Sequence, residues 1–435
     1  MRRAIGVVAL SLVFLGEGLA QEAPQPLTVD ECVRLALERN RLVQAAREQA
    51  ESARQSLKGT GAQRLPRVST SASYVRFDEP QQTGSVGSGS SLGADAAGFG
   101  GIEETTTASV SVTEPITDHV GLHHSVELAR LEAAITALDQ ASAENQVAFA
   151  ARRAYYTALT FEKTVESVEQ TIAEFESTLK LTRSLKEAGR VLQRDVNKAD
   201  IAVERAKLEL LRAQHALRTA TSSLRDVLGL ALDAPLSPAP TEEIEPFELA
   251  LDECIATAHV ERPDLRAGEL RSEAAHRGVA LARSAYVPSL GASLSYQWQD
   301  TDITESDESV IIGLNWSWDL WDWGRRRSAV RSAQADTRSA VLAFQNERNQ
   351  VALEVERLWL ALELARRKIE VAKKDWDYAV ENVRVSREKY EAGTLLITDL
   401  LDDQTALNDA RVAYYVAIYD YAIAFADLRR AMGRR

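Results

Sequence analysis

Leu290-Gly-Ala-Ser-Leu-Ser-Tyr-Gln-Trp298 and Val310-Ile-Ile-Gly-Leu-Asn-Trp-Ser-Trp318 decide the fold. In the first stretch Leu290, Ala292, Leu294, Tyr296 and Trp298 alternate with Gly291, Ser293, Ser295 and Gln297. In the second, Val310, Ile312, Leu314, Trp316 and Trp318 oppose Gly313, Asn315 and Ser317. Successive side chains of an extended chain point to opposite faces, so each stretch predicts a strand with one apolar and one small or polar face. A run of about 9 to 11 residues with this pattern matches a tilted strand that crosses a bilayer. A soluble sandwich sheet shows the same alternation. Two features favour the membrane: the polar face is serine-rich, as a wet lumen allows, and Tyr74, Tyr296, Trp298, Trp316, Trp318, Trp321 and Trp323 gather near the strands as an interfacial belt.

The same pattern occurs earlier. Residues 27–74 recur at 249–296 with an offset of 222: Asp30-Glu31-Cys32 returns as Asp252-Glu253-Cys254, Pro66 as Pro288, and Ser71, Ser73 and Tyr74 as Ser293, Ser295 and Tyr296. A later stretch repeats at an offset of 204, pairing Asn145 with Asn349, Gly189 with Gly393, Asp195 with Asp399 and Gly229 with Gly433. The 18-residue difference falls in the first copy, where the Gly/Ser-rich run Thr83 to Gly101 supplies it. The chain therefore divides into a signal peptide (1–20), repeat 1 (21–232), a Pro-rich linker (233–248) and repeat 2 (249–435). A repeat of this size means that one unit does not bury its apolar face alone.

Arg2, Arg3, the apolar run Ile5 to Leu15 and Gly18-Leu19-Ala20 read as an export signal. Its removal takes away two arginines and Glu17 and moves the net charge from −13 to −14. An acidic exported protein is a poor partner for nucleic acid. Beyond the signal no apolar run reaches the roughly 20 residues of a membrane-spanning helix, so any crossing uses strands. Cys32 and Cys254 hold equivalent places in the two repeats, and small buried core residues are the expectation for both.

Each repeat reads as helix, strand, loop, strand, very long helix, glycine turn and final helix. In repeat 1 the first helical region runs from about Leu27, capped by Thr28 or Asp30, to about Gln63. Strands follow from Pro66 and over about Thr105 to Glu114. Val147, Ala151, Ala154, Ala158, Phe161, Val165, Val168, Ile172, Phe175 and Leu179 step by four and three, as do their counterparts from Val351 to Val383 and the series from Val196 to Val227. Sustained heptads impose coiled-coil packing. The long helix, about Val120 to Ala188, spans roughly 100 Å, and the two shorter helical stretches laid end to end cover it.

Two hairpins give four strands, which leave open edges in lipid, and membrane sheets close with about 8 strands at the fewest. Several chains must therefore combine. The mature chain resembles the outer-membrane efflux protein family of the TolC type. The resemblance rests on the doubled plan, on Tyr390-Glu391-Ala392-Gly393 followed by Thr398-Asp399-Leu400-Leu401-Asp402-Asp403-Gln404, and on Leu320-Trp321-Asp322-Trp323-Gly324-Arg325-Arg326. It implies a mainly α protein with a transmembrane β part: a long coiled-coil α-barrel with four strands per protomer of a twelve-stranded β-barrel in a homotrimer. It implies an outer-membrane location reaching into the periplasm. It also implies service as the exit duct of a tripartite efflux pump or type I secretion system, through a periplasmic adaptor and an inner-membrane pump or ABC transporter. The competing class is a periplasmic coiled-coil adaptor or scaffold without its own pore, but that class carries a single helical hairpin in a β domain, whereas here helices and strands are strictly duplicated.

The resemblance implies an acidic gate at the periplasmic mouth from Asp399 and Asp402, one helical turn apart. Repeat 1 holds Asp195 and Lys198 at the matching places, and acids near a helix start also complement its dipole. The well-studied family member has arginine where Leu395 stands, so a salt link from that position is not expected. Gly189, Arg190, Val191, Leu192, Gly393, Thr394, Leu395 and Leu396 form two tips whose short apolar residues suit contact with an adaptor or pump. Tyr74, Tyr296, Trp298, Trp316 and Trp318 are the membrane-interface aromatics. His119 and His123 lie four residues apart beside Asp118 and His124, but their counterparts Trp323 and Arg327 bind no metal, and no metal or cofactor is expected. Asp300, Asp302, Glu305, Asp307 and Glu308 read as a solvated outer loop. No nucleophile and base pair or phosphate-binding loop appears, so no catalysis is expected.

Overall fold

The computed structural model describes residues 27–81, 102–239, 247–301 and 304–434. The signal peptide, the Gly/Ser-rich run, linker residues 240–246 and Asp302 lie outside them. Repeat 1 contains α1 (Val29–Arg39), α2 (Arg41–Ala62), β1 (Arg67–Gln81), β2 (Ile102–Pro115), α3 (His119–Glu187) and α4 (Gln193–Val227). Repeat 2 follows the same order with α5 (Leu251–Glu261), α6 (Pro263–Ser284), β3 (Ser289–Thr301), β4 (Thr304–Ser317), α7 (Arg325–Glu391) and α8 (Ile397–Ala431). Among the described residues no helix is long and apolar enough to cross a membrane.

Thr28 caps α1 with a reciprocal box: its N–H donates to Glu31 Oε2 at 2.9 Å, and the Glu31 N–H donates to Thr28 Oγ1 at 3.4 Å. The expectation of one helix from Leu27 to Gln63 is corrected. The chain turns extended at Asn40 (φ −65°, ψ 129°), which closes α1 and caps α2 through Oδ1, accepting from the Leu42 N–H at 2.8 Å. In repeat 2 the break falls at Arg262 (φ −65°, ψ 122°), before Pro263, a residue that starts a helix but cannot continue one.

The sheet runs β1-β2-β3-β4, antiparallel throughout. Its register carries the alternation across strands. Val112 pairs with Leu294 and Leu294 with Ile312; Val110 pairs with Tyr296 and Tyr296 with Val310. On the other face Ser69, Ser71 and Ser73 pair with Ser111, Ser109 and Thr107, each hydroxyl pair at 2.8 Å. The strands have 15, 14, 13 and 14 residues, longer than the expected 9 to 11. They continue into the acidic segment, so Asp307 and Glu308 belong to β4, opposite Gln299 and Trp298, and not to a loop.

The helices form a wall one layer deep and four across. Toward the sheet the order is α2, α3, α6, α7; toward the far end it is α4, α3, α8, α7. The α3 and α7 helices have 69 and 67 residues, about 100 Å each, and α4 and α8 have 35. The expected heptads of α3, α4 and α7 are buried or half-buried, with Val147, Ala151, Val168 and Leu179 on α3 and Val196, Val203, Ala213 and Leu224 on α4 lining one hairpin. Cys32 and Cys254 are free and lie in separate apolar clusters, beside Tyr155 and Leu228 in one and Val355 and Met432 in the other. Burial pushes the Cys32 thiol up to about 11, which keeps it protonated.

Candidate functional site

Both helix hairpins end in the same turn. After α3, the Gly189 N–H donates to Lys186 O at 2.8 Å and the Arg190 N–H to Leu185 O at 2.9 Å. After α7, the Gly393 N–H donates to Tyr390 O and the Thr394 N–H to Lys389 O, each at 3.0 Å. Gly189 (φ 72°) and Gly393 (φ 78°) supply the left-handed residue this closure requires. Arg190 Nη2 donates to Glu391 O at 3.1 Å and joins the two turns. Of the four apolar tip residues, Leu192 and Leu396 are 58% and 66% exposed. Val191 and Leu395 turn inward instead, onto Leu185, Tyr390, Ile397 and Leu400, which corrects the expectation that all four are presented outward.

Asp195 caps α4, accepting from the Leu192 N–H at 3.1 Å. Asp399 and Asp402 are exposed on α8 and make no hydrogen bond or ion pair among the described residues. Asp402 lines a groove of about 990 Å³ between α3, α4 and α8, together with Lys198, Arg205 and Asp409; Asp399 does not.

Above the tips, the two hairpins meet along a polar seam that the heptad reading missed. Thr171 Oγ1 donates to Asn408 Oδ1 at 2.9 Å, Gln404 Nε2 donates to Thr178 Oγ1 at 3.0 Å, and the Thr182 and Tyr390 hydroxyls lie 3.0 Å apart. Arg411 Nη2 donates to Glu174 Oε1 at 3.1 Å, while within the second hairpin Ser386 Oγ donates to Asp403. Thr178 and Thr182 are wholly buried and Gln404 is 1% exposed. Satisfied polar pairs in such a place specify one alignment of the hairpins, because each group left without a partner is costly. Gln404→Leu is therefore expected to destabilise by about 1–3 kcal/mol, and adding Thr178→Val to recover much of that loss. Thermal unfolding followed by circular dichroism checks the pair; additive losses would count against the seam.

At the other end the apolar face of the sheet is exposed among the described residues. Val68, Val310, Ile312, Leu314 and Trp316 are 64–83% exposed. Tyr74, Tyr296 and Trp298 lie toward the hairpin turns, and Trp316 and Trp318 toward the helices. From Leu290, the partner of Trp316, to Trp298 the strand rises about 26 Å, close to the roughly 25 Å apolar band of a transmembrane barrel. His119 Nε2 meets Glu114 Oε1 at 3.0 Å, and His123 Nδ1 lies 3.3 Å from Arg64 Nη2, so the two rings serve different partners.

Neither layer closes within one chain. The sheet edges are β1 and β4, and the wall edges are α2 and α4 on one side and α7 on the other. Both wall edges carry unpartnered apolar stripes at heptad spacing: Leu353, Leu360, Leu364, Val371 and Tyr378 on α7, and Ile201, Leu208 and Leu211 on α4, all about half or more exposed.

The model of the family described as outer membrane efflux protein matches residues 32–230 and 254–434. Protein CyaE of Bordetella pertussis is 31% identical over 199 residues, 45% of this chain and 42% of that protein. Outer membrane protein OprJ of Pseudomonas aeruginosa is 25% identical over 180 residues, 40% of this chain and 37% of that protein. The matched regions thus span less than half the length of these relatives. The crystal structure of the Campylobacter jejuni CmeC outer membrane channel superposes with a TM-score of 0.81 at 16% identity, covering all of this chain and 94% of that one.

Proposed function

The chain belongs to the outer membrane efflux protein family and to the outer membrane, and from that premise we propose that three copies close into one conduit from the periplasm to the cell exterior. The observation that carries this is the double open edge: a lipid-facing sheet and an unclosed helical wall, both ending in surfaces that need a neighbour. Strand edges in hydrocarbon cost several kcal/mol per unsatisfied group. Three copies give twelve strands and twelve wall helices, seating the α7 stripe against the α4 edge of the next copy. The conduit serves as exit duct for an efflux pump or type I secretion system, and the tips from Gly189 to Leu192 and Gly393 to Leu396 meet the periplasmic adaptor or pump. A wide wet tunnel selects little, so the pump chooses the cargo. Heat-modifiable migration of outer-membrane fractions tests assembly; a monomer in the soluble periplasm would retire the channel in favour of a scaffold.

Asp399 and Asp402 narrow the periplasmic mouth electrostatically, six carboxylates in a trimer, with no ion-pair partner among the described residues. They concentrate cations there and repel one another as the mouth closes. In planar bilayers, Asp399→Ala with Asp402→Ala is expected to weaken block by multivalent cations by about tenfold or more. Unchanged block would remove the gate assignment and leave the conduit standing.

A further inference from the structure

The segment where the sheet hands over to α7 is built to hold two indoles outward. Trp323 has φ +56°, the only positive φ among described non-glycine residues, and is 90% exposed. Its neighbours fix that shape: Asp322 accepts from the Gly324 N–H at 3.1 Å, the Arg326 N–H at 3.1 Å and Arg326 Nε at 2.6 Å. The Arg326 guanidinium also lies over the Tyr286 ring at 5.3 Å and donates to Asp319 O. A bulky residue in a strained backbone, fully exposed yet firmly held, has a use outside its own chain. Leu320 and Trp321, each 75% exposed, stand beside it just past the end of β4, with the Trp321 and Trp323 rings 5.7 Å apart edge to face.

The loop engages Arg326 and leaves other cations at the surface. Arg327 and Arg331, four residues apart on one face of α7, are exposed and pair with nothing among the described residues, and Arg325 pairs with Asp319 at 3.3 Å in an exposed ion pair. Arg64 and Arg67 stand at the same level in repeat 1. At the hairpin-turn end of the sheet the charges reverse, with Asp78, Glu104, Asp300, Asp307 and Glu308 beside a single Arg76. In a chain of net charge −13, a basic collar at one rim of the lipid-facing face is a departure from the bulk.

We propose that this collar, Trp321 and Trp323 with Arg325, Arg327 and Arg331, binds anionic phospholipid headgroups in the periplasmic leaflet of the outer membrane. The indoles sit at the headgroup level beside the acyl chains, and the arginines take the phosphates bidentately. The proposal rests on the outer-membrane reading, and the test separates the two. The assembled protein is reconstituted into mixtures of phosphatidylcholine and phosphatidylglycerol, with one or the other dibrominated, and tryptophan quenching reports which lipid contacts the indoles. The intact protein is expected to favour phosphatidylglycerol by about tenfold, since each basic residue near an anionic surface contributes up to about fivefold. Trp323→Gly, which suits the positive φ, removes part of the quenched signal. Arg325→Gln with Arg327→Gln and Arg331→Gln brings the preference to within about twofold, and the corresponding lysine triple keeps most of it. Should the glutamine triple not assemble, raising salt from about 0.05 to 0.5 M must cut the intact protein's preference severalfold. Equal quenching by the two lipids, or a preference indifferent to both charge removal and salt, overturns the collar. Quenching by neither lipid overturns the membrane reading with it.

Discussion

Ile312→Arg is expected to abolish heat-stable assembly in the outer membrane, whereas Asn315→Arg, three residues along the same strand, is expected to leave it in place. Ile312 lies mid-strand on the apolar face, paired with Leu294 and 83% exposed. Asn315 faces the other way, opposite Gly291, where there is room. An arginine on the lipid face near the bilayer midplane costs about 2–4 kcal/mol per site, and a trimer bears that cost three times. On the lumen face the same side chain meets water and costs little. The measurement is the fraction of protein that migrates as unboiled oligomer in outer-membrane fractions. Equal tolerance of the two arginines would mean that the apolar face is not in lipid, and equal failure that the serine-rich face is not wet. Conservative size changes at Ile312 are expected to be nearly silent, since lipid fills whatever the side chain leaves.

Alternation and heptads made the architecture readable because both are local periodicities that survive without knowledge of partners. Ser69, Ser71 and Ser73 sat on one face of a strand before any partner strand was known, and Val196 to Val227 on one face of a helix. What stayed hidden involves residues distant in sequence. The α3 helix is buried on two sides, and only the side toward α4 is apolar enough to announce itself. Ser167, Thr171, Thr178 and Thr182 also step by four, seven and four, but hydroxyls at such spacing look like a solvated face until Asn408, Gln404 and Tyr390 are seen opposite them. The α7 stripe from Leu353 to Tyr378 lies off the heptad that packs on α8, so no partner within one chain announces it. Tip residues Val191 and Leu395 read as exposed because a turn of four residues hides which side chains fold back under it. The resemblance alone singles out Asp399 and Asp402 as a pair; no spacing rule distinguishes a gate from two acids on a helix.

Arg262→Ala is expected to destabilise the protein by about 3 kcal/mol, seen as a fall of about 3–4 °C in the thermal midpoint of a chain this long. The two repeats fasten the same corner differently. In repeat 1 the break residue Asn40 donates through Nδ2 to Val227 O at 2.8 Å; in repeat 2 the break residue Arg262 donates through Nη1 to Ala431 O, the equivalent carbonyl, at 3.2 Å. A guanidinium in that place needs counter-charges. Asp264 receives Arg262 Nη2 at 2.6 Å, and Glu354 receives Arg262 Nη1 at 2.6 Å and Arg430 Nη2 at 2.8 Å. Burial pushes both carboxyls up, but hydrogen bonds from the arginines and their charges outweigh it and hold Asp264 and Glu354 below their usual range. Carboxylates held below their unfolded values contribute stability that is complete at neutral pH and is lost as pH falls under about 4. The variant should therefore show a smaller acid-induced loss than the parent, and the two melting curves should converge at low pH. Removing the arginine alone leaves Asp264 without its partner and Glu354 with only Arg430. Replacing the set by the residues of repeat 1, Arg262→Asn with Asp264→Leu and Glu354→Ala, removes the need for compensation and should cost less than the single change. A triple variant less stable than Arg262→Ala would show that the ion network stabilises beyond compensating its own burial, and that the neutral corner of repeat 1 is no substitute for it.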